Sequence, residues 1–137
     1  AWARARVELL GDVFASDDWD SRAVYFHDPA GNIVELIALE GLEGPLGLSE
    51  LGLVGDTTAM ADGLRPLGLE LWDGTLDEPG RLAFLGERGH TLILAPQARG
   101  WMPTGRPAER HPLEAVIAGA TPGDVELEDG LYRITSV

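Results

Sequence analysis

The sequence predicts an α+β fold in which elements follow one another in the order strand, helix, strand, strand, strand. Two segments have hairpin patterns, one around the turn at 28–31 and one around the turn at 86–90. Between them, residues 56–67 repeat apolar side chains at helical spacing. No apolar run approaches the roughly 18 residues of a membrane-spanning helix. These observations favour βαβββ units built around one core.

The chain opens with a segment, 1–10, that is predicted to be helical. Ala, Arg, Glu and Leu are good helix formers, and Gly11 suits the position just past a helix end. No capping residue precedes Ala1. We therefore expect that upstream chain has been lost. A helix that frays after removal of an initiator Met is the alternative. A short strand around Val13 and Phe14 follows, and then an acidic loop at 17–20.

The first hairpin is organised around Asp28-Pro29-Ala30-Gly31, which has Asp, Pro and Gly where a type I turn prefers them. Residues 33–38 after the turn are apolar on both faces, so this strand is expected to be covered on both sides. Glu35 lies in its middle, on the face of Ile33 and Ile37. A carboxylate there is costly to desolvate unless a cation, a metal or a hydrogen-bond donor meets it.

A second unit is predicted from residue 46 onward, after a Gly- and Pro-containing linker at 40–45. Leu46 to Val54 alternates as a strand does, and Asp56 is a suitable N-cap for a helix through Leu67. A strand at 69–72 and a hairpin of 81–85 with 91–95 complete one βαβββ unit. Residues 96–137 are predicted to form a surface loop and closing strands, including a hairpin of 125–127 with 131–135.

The two hairpins form a weak internal repeat. When Gly31 is aligned with Gly89, Glu35 falls opposite Ile93. The second hairpin therefore keeps the shape of the first and lacks its carboxylate. Glu50, on the first strand of the second unit, is a second candidate acidic ligand, and an exposed edge-strand charge is the alternative interpretation.

Composition excludes several classes of partner. The chain has 10 Lys and Arg against 23 Asp and Glu, a net charge of -13, which argues against a nucleic acid or an anionic membrane as partner. There is no cysteine, which excludes disulfides and thiolate ligands. The three histidines, His27, His90 and His111, share no metal-ligand spacing. With no signal-peptide pattern, a cytoplasmic location is expected.

The hairpin carries a family resemblance. Asp28-Pro29-Ala30-Gly31-Asn32, followed by Glu35, resembles the glyoxalase/bleomycin-resistance/extradiol-dioxygenase superfamily, also called the vicinal oxygen chelate superfamily. There the last strand of a βαβββ module follows an Asp-Pro-x-Gly-Asn turn and carries a metal-binding Glu. The order of elements is similar to the C-terminal portion of a longer member.

The resemblance implies a curled mixed sheet around a concave face, with an incomplete first module at 1–40, a second module at 46–95, and a loop and closing strands at 96–137. It implies that Glu35 is a metal ligand. Two His ligands would lie upstream of Ala1. Iron, manganese, zinc or nickel are the candidate metals of the full-length protein, and no metal is expected on this chain alone.

Two functions follow from the resemblance, and the sequence leaves both open. One is a metalloenzyme of the glyoxalase or ring-cleavage dioxygenase kind that acts on a small molecule. The other is a non-catalytic small-ligand-binding protein of the bleomycin-resistance type. Because the first module is incomplete, its apolar strand edge and face are expected to be open. A homodimer, or pairing with a separate N-terminal portion, is therefore predicted.

Overall fold

The computed structural model describes residues 3–42, 47–118 and 121–137. These fall into two compact units: unit 1 is Ala1–Leu46 with Met102–Gly105, and unit 2 is Gly47–Trp101 with Arg106–Val137. Strands are the commonest regular element in the described residues, which contain a single α-helix. The predicted α+β class is confirmed at this level. No helix in the described ranges is long and apolar enough to cross a membrane.

Unit 1 contains a three-stranded antiparallel sheet. Its strands are β1 (Phe14–Ser16), β2 (Ser21–His27) and β3 (Ile33–Leu39), in the order β1-β2-β3. The predicted hairpin is confirmed, since β2 and β3 pair from His27 with Ile33 to Ser21 with Leu39.

The prediction of a helix over 1–10 is wrong for the part of this segment that the structure describes. Only a short 3-10 turn forms, at Ala3–Ala5. Leu9 instead forms a β-bridge with Phe26, and the Leu10 amide donates to the Tyr25 carbonyl at 2.8 Å. A short helix without a cap has little intrinsic stability, and pairing along β2 satisfies the same backbone groups.

The turn between β2 and β3 is held by Asp28. The Gly31 amide donates to the Asp28 carbonyl at 2.9 Å, and Gly31 has a φ of 84° that glycine adopts without strain. The Asp28 carboxylate accepts from the amides of Ala30 and Asn32, at 2.9 and 2.8 Å, and from the Asn32 side chain at 2.8 Å. These hydrogen bonds, that of the Asn32 side chain foremost, lower the pKa of Asp28. The turn residues thus fix the register of the hairpin.

Unit 2 begins with the predicted order of strand, helix and three strands. These are β4 (Glu50–Val54), α1 (Thr57–Leu64), β5 (Leu71–Gly74), β6 (Ala83–Glu87) and β7 (His90–Ala95). They form a four-stranded sheet in the order β4-β7-β6-β5, in which β4 and β7 are parallel. β4 is shorter than predicted: residues 47–49 are not in a strand, and Leu46 lies outside the described residues.

The helix between β4 and β5 begins as its sequence predicts. The Asp56 side chain accepts from the Ala59 amide at 3.0 Å, which is an N-cap. The last predicted turn is a 3-10 turn, Arg65–Leu67, that contains Pro66 and ends at Gly68 with a φ of 77°. The buried residues of α1, Met60, Ala61 and Leu64, belong to the apolar core that also contains Leu85 and Leu94 of the four-stranded sheet.

Five short strands complete unit 2: β8 (Gly100–Trp101), β9 (Arg106–Pro107), β10 (Leu113–Ile117), β11 (Gly123–Leu127) and β12 (Tyr132–Ser136). The last three form a sheet in the order β10-β12-β11, which includes the predicted closing hairpin. One apolar core joins this sheet to α1 and the four-stranded sheet. Its fully buried side chains include Leu53, Met60, Leu64, Leu67, Leu85, Leu94 and Ile134.

Candidate functional site

The candidate site residue of unit 1 is Glu35, whose carboxylate lies on an apolar strand. Glu35 lies in the middle of β3, directly opposite Tyr25 of β2. Because directly opposed residues project from the same face of a sheet, the two side chains meet. The Tyr25 hydroxyl donates to Oε1 of Glu35 at 2.9 Å. A hydrogen-bond donor therefore meets Glu35, and it is a tyrosine hydroxyl, not one of the donors that the sequence suggested.

Desolvation dominates the electrostatics of this pair. Burial raises the pKa of Glu35 above its ordinary value of 4.5, and the Tyr25 hydrogen bond opposes that shift without cancelling it. Among the described residues, Tyr25 is the hydrogen-bond partner of Glu35, and no cation forms an ion pair with it. Oε2 of this half-buried carboxylate remains able to accept a hydrogen bond or bind a cation.

The surroundings of Glu35 are apolar and only half covered. Ile33 and Ile37 flank it on the same face, as the sequence predicts. Five successive residues, 33–37, are half-buried and none is fully buried. In the described part of the chain, β3 pairs with β2 on one side and with no strand on the other. The two faces of β3 are thus only partly covered, whereas full cover was expected. β3 is also an apolar strand at the edge of its sheet.

The matching face of unit 2 is different. Ile93 of β7, the repeat counterpart of Glu35, lies opposite Phe84 on one side and Gly52 on the other. The Trp101 ring lies over Gly52, so that a Cβ atom there would be only 3.1 Å from the ring. This face therefore holds an aliphatic and aromatic layer where unit 1 has a tyrosine and a carboxylate.

The second candidate acidic ligand, Glu50, belongs to unit 2 and not to the unit of Glu35. Glu50 starts β4 in unit 2, where it is half-buried and opposite Thr91. Within residues 3–42, 47–118 and 121–137, no three His, Cys, Asp or Glu side chains lie close enough together to hold a metal ion. The described residues supply one carboxylate at the Glu35 position.

Sequence reasoning identified Glu35 and missed its partner. Tyr25 could have been found from the turn alone. Once the Asp28 turn sets His27 opposite Ile33, two residues back along β2 and two forward along β3 place Tyr25 opposite Glu35. The signal was the register, which the turn residues encode locally. Trp101 over Gly52 had no comparable signal.

Comparison of the chain with models of known protein families, and with curated proteins, finds no match in either case.

Proposed function

We propose that this chain is part of a vicinal-oxygen-chelate-type protein that acts on a small molecule through the face of unit 1 that carries Glu35. The observation that carries the proposal is the Glu35 carboxylate itself. It is half-buried on an apolar strand, its pKa is raised by burial, and among the described residues one neutral hydroxyl meets it. Titratable groups held in such surroundings are concentrated at functional sites.

The arrangement of strands supports the same proposal. The Asp28 turn, the strand after it and the position of Glu35 on that strand follow the superfamily pattern. Unit 2 has the order and the single mixed sheet of a βαβββ module, with its first and last strands adjacent. The three-stranded sheet of unit 1 has the same antiparallel order as β5, β6 and β7. We infer that unit 1 and unit 2 are related modules, of which the first carries the site.

A divalent metal fits Glu35 as one ligand only. A carboxylate suits iron, manganese, zinc and nickel, and Oε2 can bind such an ion while Tyr25 holds Oε1. A stable site needs about three protein ligands, and the described residues offer one. Further ligands would have to come from outside those residues or from another chain. The role that Tyr25 can have is to fix the orientation of the carboxylate.

A second candidate function is the binding of a small ligand without metal or catalysis. Tyr25 and Glu35 form a polar pair between Ile33 and Ile37. An apolar surface with one or two fixed polar groups is typical of small-molecule sites. In this case Oε2 of Glu35 accepts a hydrogen bond from the ligand.

Pairing with a second copy of the chain is part of the proposal. The outer edge of β3 offers unpaired backbone groups and apolar side chains in the described part of the chain. Such an edge is a template for another strand. Two-fold pairing of β3 with its counterpart would extend the sheet and bring two Glu35 residues to one surface.

The test is the metal content of the protein as purified from the cells that produce it, measured by mass spectrometry for the wild type and for Glu35→Gln. If the metal role is right, the variant loses metal affinity by about 10-fold or more, as ligand-shell changes do. Glu114→Gln is the matched control, because its side chain is exposed on β10. Equal metal content in all three proteins would reject the metal role and favour the ligand-binding function.

A further inference from the structure

The last sheet of unit 2 has an open edge at β10. The order of its strands is β10-β12-β11, and β10 pairs in parallel with β12 on one side. In the part of the chain that the structure describes, no strand pairs with β10 on its other side. An edge of this kind is a template for a strand from another chain.

The hydrogen bonds at the two ends of β10 show which of its backbone groups face β12. The Leu113 amide donates to the Leu131 carbonyl at 3.0 Å, and the Ile117 carbonyl accepts from the Val137 amide at 3.0 Å. Leu113 and Ile117 therefore direct their backbone groups toward β12. Successive residues of a strand direct these groups to opposite sides, so the residues between the two ends can be assigned as well.

Glu114 and Val116 direct their backbone groups to the open edge. Each offers one N–H and one C=O group there, while Ala115 faces β12 like the two end residues. The side chains alternate in the same way: those of Glu114 and Val116 are exposed, and that of Ala115 is half-buried. Two donors and two acceptors are thus available to an added strand.

An apolar cleft runs along this edge of β10. Its volume is about 380 Å³, and the consecutive residues 115–118 line it. Because Ala115 points inward and Val116 outward, a single cleft contacts both only along the edge of the strand. The rest of its lining includes leucines that belong to the core of unit 2 or pack against it: Leu51, Leu69, Leu85 and Leu92.

Two large apolar side chains at this cleft are exposed. Leu48 is 77% exposed and Val116 is 71% exposed, and both line the cleft. Apolar side chains that are exposed next to one another are typical of interaction sites. The same place on the surface therefore combines free backbone groups with room for apolar side chains.

We propose that β10 binds an extended peptide segment of another protein, which adds a strand beside residues 114–116 and inserts apolar side chains into the cleft. In this mode of recognition the main-chain hydrogen bonds supply affinity, and pockets for alternate side chains supply specificity. The site lies in unit 2 and is independent of the function proposed for Glu35.

An extended peptide fits both features, and other occupants fit only one. A small apolar molecule fills the cleft and leaves the backbone groups of β10 without partners. A second copy that pairs through its own β10 has Leu113, Ala115 and Ile117 packed against its own core, so these side chains cannot enter the cleft. The net charge of -13 favours a peptide that carries no excess of acidic residues.

The experiment titrates the whole protein with the peptide Lys-Thr-Val-Thr-Leu-Thr-Val-Lys, acetylated and amidated, and follows backbone amides by NMR. Hydrogen exchange at Glu114 and Val116 should slow by at least about 10-fold when the peptide is saturating. Exchange at Ala115 should not change, because its amide already faces β12. A peptide in which serine replaces the leucine should bind at least about 10-fold less tightly, the scale of burying one leucine side chain.

Two methylated peptides test the strand pairing directly. One carries N-methyl groups on its three threonines, and the other carries them on its two valines and its leucine. Only one of these alternate sets of amides faces β10 in an added strand. One methylated peptide should therefore bind like the parent peptide, and the other should not bind. Equal binding of the two, or equal loss, would contradict strand addition.

Val116→Pro tests the same edge from the side of the protein. It removes an amide that faces the open edge, where proline is tolerated, and should weaken peptide binding by at least about 5-fold, the scale of one backbone hydrogen bond. Val116→Thr keeps the amide and should bind like the wild type. Retention of the native melting transition shows that each variant is folded.

If Val116→Pro does not fold, the methylated peptides decide with the wild-type protein alone. Three results would overturn the proposal. One is unchanged exchange at Glu114 and Val116 with excess peptide. Another is a response confined to the leucine methyl signals, which would indicate a site for small apolar molecules. The third is slow exchange at both amides that appears without peptide as the protein concentration rises, which would identify the occupant as a second copy.

Discussion

The two hairpins, β2–β3 and β6–β7, have the same antiparallel arrangement. One has a polar pair of opposed side chains where the other has an apolar pair. In unit 1, β2 and β3 place Tyr25 opposite Glu35, and in unit 2, β6 and β7 place Phe84 opposite Ile93. The polar pair lies on a strand that is half-buried throughout. The apolar pair lies in a unit whose strands include fully buried side chains. The hairpin that carries the polar pair is therefore also the less well covered one.

The two units also differ in how far their apolar side chains are buried. Of the apolar side chains that are fully buried in the described residues, all but Ala23 belong to unit 2. In unit 2 the buried Tyr132 hydroxyl donates to the Val54 carbonyl and accepts from its amide, at 2.8 and 3.1 Å. Unit 1 instead keeps a desolvated carboxylate, which a binding role would explain.

The largest expected effect concerns the difference in burial. Leu94 is fully buried in unit 2, so Leu94→Ala should lower the free energy of unfolding by about 2–5 kcal/mol. Ile37 of unit 1 is half-buried, and Ile37→Ala should cost about 1 kcal/mol. Chemical denaturation followed by tryptophan fluorescence measures both. Equal losses would show that the sheet of unit 1 is packed as tightly as that of unit 2.

The next effect concerns the open edge of unit 1. We predict a concentration-dependent dimer formed through β3, measured by sedimentation equilibrium. Ala38 of β3 is exposed, and Ala38→Lys should weaken the dimer by about 10-fold, because a lysine on an edge strand opposes pairing. Ala15→Lys, in the same row of the sheet on β1, is the matched control and should not change it. A wild-type monomer at all concentrations would refute the pairing.

The smallest effect concerns the pH dependence of stability. Burial raises the pKa of Glu35 in the folded state above its ordinary value of 4.5, so the folded protein keeps that proton at pH values where the unfolded chain has lost it. The contribution of Glu35 to the free energy of unfolding should therefore fall as pH rises from the ordinary pKa through the raised one. Glu35→Gln should remove this fall.

At neutral pH, Glu35→Gln should consequently melt a few degrees above the wild type, and the difference should disappear at about pH 4. Calorimetry at a series of pH values measures both. Glu114→Gln serves again as the exposed control. A Glu35→Gln protein that is less stable than the wild type at neutral pH would mean that the charged carboxylate stabilises the fold.

Several features of this protein are determined by the sequence alone, because a few neighbouring residues settle them. Asp28, Gly31 and Asn32 close the first turn with their own hydrogen bonds, which sets the register of β2 and β3 and the face of Glu35. Asp56 caps α1 in the same local way. The order of elements in unit 2 followed from such signals, and so did the α+β class.

Other features were decided only by tertiary structure, because they depend on contacts between residues far apart in the chain. The N-terminal segment has a helical sequence pattern, but Leu9 and Leu10 pair through their backbone with β2 instead. The position of Trp101 over Gly52 depends on loops that no local pattern specifies. The parallel pairing of β4 with β7 joins residues as far apart in the chain as Glu50 and Thr91. Residue types encode turns and caps, whereas covered and open surfaces arise from how whole sheets pack.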